Sequence, residues 1–154
     1  MRSPELKLFT NPLVLSPLFA IVVAQVSKVV LILLTERRWA PERVTETGGM
    51  PSSHSATVAA LCTTSALYHG LDSTAFAISL VLGIIVIYDA TGIRRAAGRH
   101  AEILNELVEE FSHLFEEEKR PKALKTLLGH SYPQVLVGVG IGIAMSFLVR
   151  YILG

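Results

Sequence analysis

Two histidines in this chain sit where glycine, serine and proline interrupt long apolar runs. One lies in Gly48–Ala56, "GGMPSSHSA"; the other lies in Gly129–Val135, "GHSYPQV". An imidazole gives or takes a proton near neutral pH. Gly48 and Gly49 let backbone approach a ligand with no Cβ in the way. Pro51 is pre-set for the first turn of a helix, and Ser52, Ser53 and Ser55 offer hydroxyl donors. The free N–H groups of such a turn, with the helix dipole, attract an anion. Gly129, His130 and Pro133 mark a second helix start of the same kind. Three cations complete the set. Lys28 lies about two turns inside an apolar run, and Arg94 and Arg95 follow Asp89 at the end of another. The guanidinium fork fits phosphate oxygens bidentately. Lys28, His54, Asp89, Arg94, Arg95 and His130 therefore map to one end of one helix bundle, as a phosphoryl site requires. Plainer readings stay open. Lys28 can snorkel to an interface, Asp89 can pair with arginine to fix a helix junction, and His54 can be incidental to a capped helix start. Asp89 and Asn105, with Glu102 or Glu106, form a weak alternative set for magnesium.

These residues need elements to hold them. The chain has 154 residues, 51% hydrophobic, with a mean hydropathy of +0.48, which is too apolar for an ordinary soluble domain. The expectation is one all-α membrane domain over residues 1–154. It is a polytopic bundle of four transmembrane helices plus one amphipathic cytoplasmic helix. The spans are Leu13–Leu34, Ala56–Tyr68 extended by Pro51–Ser55, Thr74–Asp89 and Gln134–Leu153, each near the ~20 residues a crossing needs. A three-span version holds if the second run is re-entrant. Residues 91–120 form the amphipathic helix, with Ile93, Ala97, Leu104, Leu107, Val108, Phe111, Leu114 and Phe115 recurring at helical spacing. It lies on the membrane surface or packs under the bundle, and Pro121 stops it.

Charge sets orientation and excludes classes. With four spans, the loops 35–53 and 91–130 carry ten Lys and Arg, against three on the terminal side. The motif loops are thus expected in the cytoplasm and both termini on the opposite side. Trp39, Tyr68, Tyr88, Tyr132 and Tyr151 are expected as interfacial anchors. A net charge of +1 gives no ground for a nucleic-acid partner, and a single cysteine, Cys62, excludes a disulfide within the chain. Gly138 and Gly142 form a small-xxx-small pair suited to close packing within the bundle or to a homo-oligomer.

The motifs together resemble a known superfamily. "PSSHSA" is similar to the P-S-G-H motif of the type 2 phosphatidic acid phosphatases and vanadium haloperoxidases. "HSYPQVLVG" is similar to that superfamily's last motif, with His130, Val135 and Gly138 in register and Gln134 where the motif has Asp. "GGMPSSHSA", "YDATGIRRAAGRHAEILN" and "GHSYPQV" look like the divergent branch of small membrane proteins in bacteria and chloroplasts. That implies a bacterial inner membrane or plastid membrane. The resemblance implies His130 as nucleophile on phosphorus, His54 as general acid and Gln134 as the residue orienting His130. It also implies Lys28, Arg94 and Arg95 on the phosphoryl oxygens, a lipid phosphate or diphosphate as substrate, and no metal or other cofactor. Three positions depart from the pattern. Lys28 is followed by Arg37 and Arg38 rather than by Arg-Pro seven places on. Leu124 stands where an arginine six before the histidine is expected, and Gln134 carries no charge. Arg94 precedes His100 by six, which makes His100 a weaker nucleophile candidate. The departures support a second expectation: an inactive membrane protein that binds anionic headgroups, or a regulatory or assembly subunit.

Overall fold

A computed structural model describes residues 8, 10–41, 48–115 and 121–153. Arg2, Lys7, Arg43, Lys119 and Arg120, which enter the charge count, lie outside them. The described residues form helices α1 (Pro12–Glu36), α2 (Ser53–His69), α3 (Thr74–Thr91), α4 (Ile93–Glu110) and α5 (Tyr132–Leu153), with one 3₁₀ turn at Ser112–Leu114 and no strand. Asn11 caps α1 by accepting from the Leu13 N–H, and Pro12 follows at the first helical position. Ser52 and Ser73 cap α2 and α3 through their hydroxyls.

Three helical stretches are long and apolar enough to cross a membrane: Pro12–Glu36, the run Thr74–Glu110 that contains α3, and Tyr132–Leu153. The second expected span, α2, is not among them. It has 17 residues and carries serine and threonine throughout, a rise of about 26 Å. Its place in the fold explains that composition. α2 is the hub, packed against α1, α3 and α5, while α1 and α5 also pack on each other. A helix enclosed by three others needs small, close-fitting residues more than lipid-soluble ones. The core is accordingly built from alanines: Ala20 and Ala24 of α1 against Ala56 and Ala60 of α2, with Ile141 and Met145 of α5 over them.

α5 closes on α2 through Gly138 and Gly142. A Cβ on Gly138 would strike the Ser52 carbonyl, and one on Gly142 the Ala56 carbonyl. The pair thus serves packing inside the bundle. Deeper in, Thr64 donates to the Ser146 hydroxyl at 3.0 Å and Ser146 donates to the Ala60 carbonyl at 2.9 Å, so these buried hydroxyls satisfy one another. At the far end, the Arg150 guanidinium lies 5.8 Å from the centre of the Tyr68 ring. Tyr68 is therefore held within the bundle, unlike the exposed rings of Trp39, Tyr88, Tyr132 and Tyr151.

Two sequence expectations are corrected. Pro51 stands outside α2, before the Ser52 cap and after a cis Met50–Pro51 bond, because the cap falls on a serine that can bond the Ser55 N–H. The amphipathic helix stops at Glu110 instead of running to Pro121, and residues 116–120 lie outside the described set. Its last turn holds Glu109 and Glu110 and no basic residue, the unfavourable sign for a helix C-terminus.

Candidate functional site

His54 and His130 meet at one end of the bundle. His54 sits in the first turn of α2, one place beyond Ser53 and the Ser52 cap. His130 sits just before α5, on a strap formed by residues 124–131. Their ring centroids are 6.5 Å apart, tilted by 53°. Both line a cavity of about 210 Å³ whose other walls include Asp89, Ala90 and Arg94 from the α3–α4 junction and Leu128 and Gly129 from the strap.

The strap is tightly located. The His130 N–H donates to the Ala90 carbonyl at 2.9 Å. Gly129 has φ +78°, and a Cβ there would collide with the Arg94–Arg95 backbone, so glycine is needed for both conformation and approach. Upstream, the Asn105 side chain of α4 takes both backbone groups of Leu124. Its amide donates to the Leu124 carbonyl at 3.0 Å and its oxygen accepts the Leu124 N–H at 2.8 Å. A Cβ on Gly98 would come within 2.8 Å of the Thr126 carbonyl and 2.9 Å of the Leu128 carbonyl, so the strap lies directly on α4 there. These contacts assign Asn105 to the strap rather than to the magnesium set.

Gln134 has two partners. Its Oε1 accepts the Ser131 N–H at 3.0 Å and lies 3.3 Å from Nδ1 of His130. The first bond is one half of a capping box, with Ser131 before α5 and the glutamine three residues on. Because the Ser131 N–H can only donate, the amide must present its oxygen there. That oxygen then requires a proton on Nδ1 of His130, leaving Nε2 as the basic nitrogen. Burial pushes the His130 pKa below its ordinary 6.5. The Gln134 bond opposes this, the Lys28 and His54 charges add to the lowering, and a backbone hydrogen bond with Gly49 opposes it.

The remaining candidates divide. Lys28 is 3% exposed, and its charge is felt at His130; it is directed inward, not snorkelled. Arg94 is ion-paired with Asp89, and both line the cavity. Arg95 lies elsewhere. With Arg99, Ser131 and Gln134 it lines an adjoining pocket of about 290 Å³ that shares Leu128, Gly129 and His130 as a wall. Ser52 and Ser53 are buried but do not line the cavity; the Ser52 hydroxyl accepts from the Ser55 N–H and the Ser55 hydroxyl. Gly48 makes room for the Leu127 carbonyl, so its missing Cβ serves the strap, not a ligand. His69 lies exposed at the other end of α2, and His100 and His113 are exposed on α4 and the 3₁₀ turn.

The sequence profile of the Divergent PAP2 family matches residues 9–145, which contain every residue of this site. The chain belongs to that family. It is also 44% identical over 155 residues to the uncharacterized membrane protein YuiD of Bacillus subtilis (strain 168), covering 95% of this chain and 98% of that protein. No solved structure matches it. Family membership, this membrane-protein relative and the three apolar helices together identify an integral membrane protein. The Asn105–Leu124 pairing and the close seats of the strap at Gly98 and of Gly129 on α4 were not legible in the sequence, which offered Asn105 only as a metal ligand, since pairing across 19 positions leaves no local signal. The Ser131–Gln134 box did leave one, in the S-x-x-Q pattern of "SYPQ".

Proposed function

We propose that this membrane protein is a phosphohydrolase that cleaves a lipid phosphate or diphosphate monoester through a phosphohistidine. The observation that carries the reading is the pair of helix-start imidazoles, 6.5 Å apart across a cavity lined by Arg94. A phosphoryl group fits between two such rings. His130 Nε2 attacks phosphorus as the bond from phosphorus to the lipid oxygen breaks, and His54 donates a proton to that oxygen. Water then gives a proton back to His54 and attacks phosphorus. The P–N bond breaks, and phosphate leaves with His130 restored. Lys28 and Arg94 stabilise charge on the equatorial oxygens, and Asp89 holds Arg94 in place. Four crossings, with α2 enclosed by the other three, would put the strap and the α3–α4 junction at the cytoplasmic face, where ten of the Lys and Arg residues lie. The acyl or prenyl chain stays in the bilayer.

A second reading rests on Gln134. An amide orients His130 but lacks the charge that stabilises a developing imidazolium, as in a protein that binds anionic headgroups without turning them over. Purified protein in detergent, given phosphatidate, phosphatidylglycerophosphate and undecaprenyl diphosphate, separates the two. Phosphate release from at least one, abolished by His130→Ala, supports hydrolysis. Binding with no release and no acid-labile phosphoenzyme supports the second reading.

A further inference from the structure

The Arg95–Arg99 pocket has a chemistry that the hydrolytic scheme does not use. α4 turns about 100° per residue, so the adjacent Arg94 and Arg95 face different compartments. Arg94 enters the His54 cavity and is paired with Asp89. Arg95 lines the second pocket with Arg99, one turn further along. Like charges four apart on a helix repel. Among the described residues, neither Arg95 nor Arg99 has an ion pair or a side-chain hydrogen bond to offset that repulsion. Glu102 shares the pocket wall and makes no ion pair with either, and two guanidiniums against one carboxylate leave the pocket net positive. The opposite wall is the start of α5 at Ser131 and Gln134, with His130 between the two compartments.

We infer that this pocket is a second oxyanion site, which takes a phosphate group between Arg95 and Arg99. It is separate from the His54–His130 cavity and does not require turnover. Two guanidiniums one turn apart on a helix are close enough to share one tetrahedral anion, and the anion relieves their mutual repulsion. α4 begins one residue beyond the apolar helix α3, within reach of a lipid headgroup as well as of free phosphate. Either source presents anionic phosphoryl oxygens to the guanidiniums.

Calorimetric titration of the detergent-purified chain tests the site, with inorganic phosphate and with short-chain phosphatidylglycerol below its micelle concentration as probes. Wild type, His54→Ala and Arg99→Gln are compared, with an Arg99→Lys variant and melting curves to show that each is folded. The expected result is binding of one probe or both that survives His54→Ala and weakens about tenfold or more in Arg99→Gln. Arg99→Lys keeps the charge but loses the fork and falls between. Tighter binding of the lipid identifies a headgroup site; binding of phosphate alone identifies a free-anion site. Binding equal in Arg99→Gln and wild type overturns the proposal, as does binding of neither probe. Loss in His54→Ala with none in Arg99→Gln also overturns it while leaving the hydrolase reading standing. Arg99-dependent binding, together with no phosphate release in the separate assay with phosphatidate, phosphatidylglycerophosphate and undecaprenyl diphosphate, leaves this site standing and removes the hydrolase.

Discussion

The Gln134 side-chain oxygen lies 3.3 Å from Nδ1 of His130 and caps the start of α5 in the same position. One oxygen therefore fixes both the helix start and the tautomer of the proposed nucleophile. The cap ties this orientation to the fold, so it does not depend on substrate.

A pH profile checks the relationship. Burial lowers the His130 pKa from 6.5, so the nucleophile is already neutral somewhat below that pH. The acidic limb of kcat/KM is expected below pH 6.5. Gln134→Asp places a carboxylate at the ring and favours the imidazolium. Its acidic limb is expected at higher pH, with a higher plateau kcat. An unmoved limb would show that His130 does not titrate in the rate. The same shift appears in stability. The folded state resists protonation that the unfolded chain accepts, so the melting temperature should fall as pH drops below 6.5. His130→Gln should flatten that slope.

The two histidines should fail differently. His54→Ala is expected to slow hydrolysis of lipid phosphates by about 10²–10⁴-fold, the range for loss of a general acid. The deficit should shrink with p-nitrophenyl phosphate, whose leaving group needs no proton. His130→Ala should abolish turnover of both, together with any acid-labile phosphoryl label. Equal losses on the two substrates would remove His54 from the acid role.

Asn105 is expected to act through the strap. Asn105→Ala leaves the Leu124 N–H and carbonyl without their partner. Both bonds are solvent-exposed, so the freed groups take water and the cost in stability is about 1 kcal/mol. kcat should fall more than KM rises, because His130 is displaced while the lipid contacts remain. Asn105→Asp retains the acceptor for the Leu124 N–H and should recover part of the activity. A variant with normal melting and normal kcat would separate the strap from the site.

Glycines in α5 should divide by what faces them. A Cβ on Gly142 meets the Ala56 carbonyl and the Ala60 nitrogen, whereas one on Gly140 meets nothing within 4 Å. Gly142→Ala is expected to destabilise the bundle by about 1–3 kcal/mol through overpacking. Gly140→Ala is expected to be neutral or slightly stabilising. Melting curves in detergent compare the pair directly, and equal effects would contradict the observed α2–α5 contact.

The sequence alone determined what depends on local pattern and composition. Apolar runs near spanning length implied membrane helices, and three of them have the length and apolarity to cross. The 3.6-residue periodicity after Asp89 implied α4. The glycine–histidine–proline clusters, with Gln134 in an Asp position, implied the family and singled out His54 and His130. These signals are local because solvation and helix geometry act residue by residue. Tertiary structure decided everything that depends on which helix neighbours which. α2 is too short and too polar to declare its place, and only its enclosure by α1, α3 and α5 explains its serines and alanines. Adjacent Arg94 and Arg95 look equivalent in one dimension; the turn of α4 and the strap over it send them to different compartments. The 6.5 Å between the imidazoles arises from close packing at Gly138 and Gly142 and from the seat of Gly129 on α4. Those contacts join segments far apart in the chain, so no local pattern encodes them.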